Sequence, residues 1–113
     1  MALRIDQRDV DAVKVLDLSG KVAGDAADTL WDRIDDLLDA GHANLVLNLG
    51  GVSFIDSAAL GGLLSKRSAV IGAGGKLKLL NLNERVMDLM VTTKLEMVFD
   101  TFESESDAVQ SFS

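Results

Sequence analysis

Two rhythms of apolar positions take turns along this chain. Leu3-Arg4-Ile5-Asp6 alternates, which predicts a short strand. Asp9–Asp11 is polar and predicts a turn. Ala12–Leu18, AVKVLDL, is rich in Val and Leu and predicts a second strand, hairpin-paired to the first and ended by Ser19-Gly20. From Asp25 to Ala40 the period becomes helical: Ala26, Ala27, Leu30, Ile34, Leu37 and Leu38 fall on one stripe. Asp25 or Asp28 suits the positive N-terminal end of that helix. Gly41 follows its last turn, where positive φ is common.

Leu45–Leu49 is a nearly continuous apolar run, as expected of a central strand covered on both faces. A strand end at Phe54-Ile55 then meets a helix that starts at Asp56-Ser57 and buries Leu60, Leu63, Leu64, Val70 and Ile71. Lys66 and Arg67 are expected toward solvent, and Gly72–Gly75 stops the helix. Leu77–Leu80 predicts another strand. Glu84 to about Val91 predicts a third helix, capped by Asn83, with Val86, Leu89 and Met90 inward. Met97-Val98-Phe99 reads as a short last strand. Ser104–Phe112 reads as a closing helix, capped by Ser104, with Ala108, Val109 and Phe112 facing in. Strands alternating with helices predict right-handed crossovers. The expectation is an α/β fold: one domain over residues 1–113, a four- to five-stranded mostly parallel mixed sheet with an N-terminal hairpin, and about four helices.

Composition narrows the function. With 18 acidic residues against 11 basic ones the net charge is −7. That argues against a nucleic-acid partner and against docking on anionic lipid. The predicted first helix carries Asp25, Asp28, Asp32, Asp35, Asp36 and Asp39 against Arg33 alone, a solvated face or an acidic docking surface. There is no cysteine, which excludes disulfides, zinc thiolates and thiol catalysis. No apolar run reaches the length of a membrane span, and MALRIDQRDV does not read as a signal peptide. The expected location is the cytoplasm.

Little chemistry is available. His42 is the only histidine, with neither a metal-ligating neighbour nor a nucleophile partner in view, and reads as a surface residue. GAGGK (Gly72–Lys76) tempts toward a phosphate loop, but it closes a helix and opens a strand, the reverse of such a loop. Trp31 flanks the first helix's stripe, as partly buried core or as an anchor for a partner. No cofactor and no enzymatic activity are expected.

Asp56-Ser57 remains. It has a plain reading, a capping Asp followed by a polar first helical residue. It also has a functional one. A helix N-terminus presents free N–H groups and positive partial charge, so an anion attached there is stabilised. Ala58, Ala59, Gly61 and Gly62 keep the surroundings small and flat. The junction falls at the carboxyl end of a central strand, where open α/β sheets place their working sites.

These residues carry a resemblance. LVLNLGGVSFIDSAALGGLL (Leu45–Leu64) resembles the signature of STAS domains of the anti-sigma factor antagonist type. VLDLSGKV (Val15–Val22), Gly74–Phe99 and SESDAVQSF (Ser104–Phe112) extend the likeness over nearly the whole chain. The resemblance implies that Ser57 is phosphorylated by a partner that is both anti-sigma factor and serine kinase. The unphosphorylated protein then binds that partner, phosphorylation releases it, and a phosphatase resets the cycle. It also implies a partner surface of Asp25, Asp56, Ser57, Ala58, Ala59, Leu60 and Gly61. Four positions depart from the pattern. Asn48 stands where the family often has Asp, Ala58 and Ala59 replace Ser and Gly, and Ala23 stands near a common Asp for which Asp25 is the substitute. The alternative the departures favour is a non-switched STAS adaptor subunit of a transport or signalling complex.

Overall fold

The computed structural model describes residues 3–113. Its elements run β1 (Arg4–Val10), β2 (Val13–Val22), α1 (Gly24–Asp39), β3 (Asn44–Ile55), α2 (Ser57–Gly72), β4 (Lys76–Leu80), α3 (Glu84–Thr92), a 3-10 turn (Leu95–Met97), β5 (Asp100–Phe102) and α4 (Glu105–Gln110). The five strands form one sheet in chain order, β1 antiparallel to β2 and every later pair parallel. The α/β class, the hairpin and the four helices are thus as the periodicity predicts.

The topology dictates the layers. Each parallel step moves one strand further in the same direction, and right-handed crossovers then place their helices on one face. That face holds the main core, where Leu16, Leu18, Leu45, Leu47 and Leu79 meet Leu30 and Ile34 of α1, Leu60, Leu63 and Val70 of α2, and Val86 and Met90 of α3. The opposite face has a smaller cluster, Val13, Val15, Val46 and Leu80, covered by Ala108 and Val109 of α4.

Boundaries differ from expectation in four places. β2 does not end at Ser19-Gly20 but continues to Val22, with register shifts against β3 on either side of Ser19-Gly20. β3 likewise runs unbroken through Gly50-Gly51. A Cβ at Gly51 would lie 2.7 Å from both Leu18 O and Ser19 Oγ, so glycine lets β3 pass the irregular part of β2. Met97-Val98-Phe99 is not a strand. Lys94 is left-handed (φ 63°), and the N–H groups of Val98 and Phe99 both return to Leu95 O, so the chain curls before β5 begins at Asp100. Ile71 is not buried but 49% exposed, because Val70 takes the core position of that turn.

Two polar arrangements have no counterpart in the sequence reading. Lys78, in β4, is only 4% exposed. Its ammonium donates to Ser111 Oγ at 2.7 Å and Ser111 O at 3.2 Å, and lies 4.8 Å and 5.6 Å from the ring centres of Phe112 and Phe102. The buried charge is thereby solvated by hydroxyl, carbonyl and π-faces. Elsewhere on the α4 side, Arg8 bridges Asp17 and Glu105 and so ties the hairpin to the closing helix. Lys66, expected in solvent, instead bonds Asp35 of α1 at 2.7 Å, joining α2 to α1.

Candidate functional site

The site forms where β2 and β3 end side by side. Asp56 N–H donates to Val22 O at 3.3 Å, so the two strands release their chains together and α1 and α2 begin next to each other. Asp56 is extended (φ −85°, ψ 169°) and caps α2, its Oδ1 accepting from Ala59 N at 2.7 Å. Its Oδ2 is 3.4 Å from Gly24 N, the first residue of α1. One carboxylate therefore serves two helix starts. Ala23, at the cap position of α1, offers no side-chain bond.

Ser57 is the first residue of α2 and is exposed. The first N–H groups of a helix have no acceptor within it. Asp56 takes that of Ala59, which leaves the Ser57 and Ala58 groups free of intrahelical partners beside the Ser57 hydroxyl. The helix mouth carries positive partial charge, offset on one side by the Asp56 carboxylate that caps it.

Of the residues assigned to a partner surface, Asp25, Ser57, Ala58 and Gly61 are exposed and Asp56 is partly so. Ala59 and Leu60 are not: at 4% and 3% exposure they anchor the first turn of α2 in the core. A partner can meet the former group directly and the latter only through the backbone they hold in place. A shallow depression of about 160 Å³ runs between the helix starts, lined by Gly24, Asp28, Trp31, Asp56 and Ala58 among others. Its wall explains Gly62. A Cβ there would lie 2.6 Å from Trp31 Cζ2, so Trp31 packs directly on the backbone of α2. Gly61, by contrast, has nothing within 4 Å of such a Cβ and borders open space.

Asn48 has a local reason. Its Nδ2 donates to Asp17 Oδ1 at 2.8 Å, and its Oδ1 accepts from Gly50 N and Asn81 Nδ2 at 3.1 Å and 3.2 Å. An Asp at 48 would set two carboxylates against each other. The Arg8 guanidinium, and then the Asn48 amide, hold the Asp17 carboxyl below its usual range against the opposing effect of burial. Arg8 likewise lowers the Glu105 carboxyl.

The other singled-out residues lie away from this mouth. GAGGK is the α2–β4 turn, at the opposite end of β4 and β3. There Lys76 N donates to Ala43 O at 3.0 Å, and a Cβ at Gly75 would collide with Ala43 O at 1.7 Å. It is a crossing of two backbones, not a phosphate loop. His42 is exposed in the adjoining α1–β3 turn. No group of His, Cys, Asp or Glu among the described residues could hold a metal ion. No helix among them is long and apolar enough to cross a membrane.

Residues 4–108 match the STAS domain family. The chain belongs to that family. A Bacillus subtilis (strain 168) relative, the anti-sigma-B factor antagonist, is 29% identical over 110 residues, 97% of this chain and 100% of that protein. The crystal structure of an anti-sigma factor antagonist from Mycobacterium paratuberculosis shares the fold with a TM-score of 0.87 at 21% identity, covering 98% of this chain and 94% of that one. The Bacillus cell fate determinant SpoIIAA in its phosphorylated form does so with a TM-score of 0.75 at 19% identity, covering 97% and 100%.

Proposed function

We propose that this protein is an anti-sigma factor antagonist that binds an anti-sigma factor in its unphosphorylated form and is released by phosphorylation of Ser57. The observation that carries the reading is the exposed Ser57 hydroxyl on the first residue of a 16-residue helix whose mouth is fixed by Asp56. Relatives named anti-sigma factor antagonists, and the likeness to a phosphorylated SpoIIAA, support it.

The physics of the switch is local. Without phosphate, Ser57, Ala58 and Gly61 present a surface no bulkier than a methyl or hydroxyl, onto which a partner packs closely. Phosphorylation adds about −1.5 to −2 charges at neutral pH. The start of α2, with that of α1 beside it, tolerates this charge. A partner surface packed over it does not, because an unpaired charge inside an interface is costly. Asp25, on the first turn of α1, contributes an acidic contact on the same rim. The partner is an anti-sigma factor that is itself the serine kinase, a phosphatase restores the hydroxyl, and the cycle runs in the cytoplasm. The protein itself catalyses nothing in this scheme.

Mass spectrometry after incubation with the host's anti-sigma factor kinase and ATP tests the reading. One phosphate on the Ser57 peptide, absent from Ser57→Ala, is expected, with loss of the complex on modification. Label on another residue, or a complex indifferent to phosphate on Ser57, overturns it. A second reading, a non-switched STAS adaptor, draws on Ala23, which leaves the start of α1 without a side-chain cap. A pull-down from native host cells that recovers a transporter assembly and no kinase decides for it.

A further inference from the structure

The one long unpaired sheet edge in the described residues is the outer side of β1. β1 stands at the end of the strand order and spans seven residues, whereas the other edge, β5, spans three. Unpaired edges are commonly blunted by shortness, proline, bulges or charged side chains. β1 has no proline and no register shift against β2, and its charges are of both signs.

The hairpin turn sets which backbone groups face outward. Val10 pairs with Val13 across the two-residue Asp11-Ala12 turn, so this is the closing hydrogen-bonded pair. Hydrogen-bonded and non-hydrogen-bonded pairs alternate along an antiparallel ladder. Arg4, Asp6, Arg8 and Val10 therefore turn their N–H and C=O groups toward β2. Ile5, Gln7 and Asp9 turn theirs to the free edge.

We infer that this edge pairs with β1 of a second copy of the chain, antiparallel and centred on Gln7. Two-fold symmetry restricts the registers, and charge selects among them. Centring on Asp6 opposes Asp6 to itself and Arg4 to Arg8. Centring on Arg8 opposes Arg8 to itself. Centring on Asp9 opposes Asp9 to itself. Centring on Ile5 pairs Arg4 with Asp6 but shortens the overlap. Centring on Gln7 overlaps all seven residues and sets Asp6 of each copy opposite Arg8 of the other, twice. Both side chains remain accessible for this. Asp6 is 55% exposed beside Arg4, and Arg8 is 41% exposed although it already holds Asp17 and Glu105. The outward groups of Ile5, Gln7 and Asp9 then bond Asp9, Gln7 and Ile5 of the second copy, and the two sheets join into one of ten strands. Two strands alone bury little surface, so the association is weak and grows with concentration and low salt.

Cross-linking tests the register. The chain has no cysteine, so Gln7→Cys introduces a single thiol. Opposed Cα atoms of a hydrogen-bonded pair are about 5.5 Å apart, inside the range a disulfide spans. Mild oxidation of Gln7→Cys at up to about 1 mM protein is expected to yield a covalent dimer. In Asp9→Cys the two thiols are roughly 14 Å apart along the strands and stay reduced. Asp6→Lys in the Gln7→Cys background sets a cation opposite Arg8 of the other copy and slows cross-linking roughly tenfold. In the cysteine-free chain, sedimentation is expected to show a mass that rises with concentration. Gln7→Pro, which removes only an outward N–H, returns it to the monomer with unchanged circular dichroism. Equal cross-linking at positions 7 and 9, or a monomer at every concentration together with no cross-link at 7, overturns the inference.

Discussion

The Asp56 carboxylate and the Gly24 N–H approach to 3.4 Å across two separate helices, while the same carboxylate caps its own helix through Ala59. The mouths of α1 and α2 are therefore positioned by one side chain, and Ser57 follows it directly. Substituting Asp56 disturbs stability and site geometry together.

Asp56→Ala is expected to lower stability by about 1–2 kcal/mol, the range for loss of a helix cap. Asp56→Asn, which keeps an accepting oxygen, should recover most of that. Urea titration of the three proteins checks the order.

Ser57→Glu is expected to leave the melting temperature nearly unchanged, since an acid at a helix start is favourable by a few tenths of a kcal/mol. A calorimetric scan showing a fall of many degrees would identify the side chain as packing rather than surface.

Gly61 and Gly62 should respond oppositely to alanine. Gly61→Ala adds helix propensity into open space and is expected to stabilise by about 0.5–1 kcal/mol. Gly62→Ala forces Trp31 to move and is expected to destabilise by about 1–3 kcal/mol. Trp31 is the only tryptophan, so a shifted fluorescence maximum in Gly62→Ala alone reports the displacement.

Ser111→Ala removes a hydroxyl from the buried Lys78 ammonium and is expected to cost about 1.5–3 kcal/mol, the range for bonds to charged groups. Hydrogen exchange should show its loss first in α4.

Acid should weaken the tie between the hairpin and α4. Arg8 holds the Asp17 and Glu105 carboxyls below their ordinary values of 3.8 and 4.5. The contribution is complete at neutral pH, begins to fall near those ordinary values, and is lost as pH drops through the lowered ones. Arg8 is exposed and the two carboxylates are half-exposed, so it amounts to about 1 kcal/mol or less and shrinks with salt. Arg8→Met should flatten the stability profile in that acid range.

The elements legible in the sequence were those whose pattern is local. The α1 stripe and the caps Asp56, Asn83 and Ser104 depend on residues within a few positions of one another, and each is where periodicity and capping place it. What a single strand's pattern cannot carry is its neighbour. The extension of β3 past Gly51 follows from the shape of β2, and Arg8 meets Glu105 across 97 positions. At the site, the exposed Ser57 and the capping Asp56 were readable from the motif. Ala59 and Leu60 face the core, as their spacing along α2 with Leu63 marks, and a motif that names them as a contact surface carries no information on which side of the helix each one lies. Lys78 was unreadable for a related reason: alternation puts it on the second sheet face, but only α4 makes that face an interior.

Because every crossover lies on one side, the short helix α4, with Phe102 and Phe112 beside it, provides most of the shelter for Val15, Val46 and Leu80 on the other. A proteolytic cut in the Glu103–Ser104 link would strip that shelter and leave a sticky apolar floor beside an intact main core. Cells that clear damaged protein by recognising such floors would then dispose of a chain whose Ser57 end was still sound.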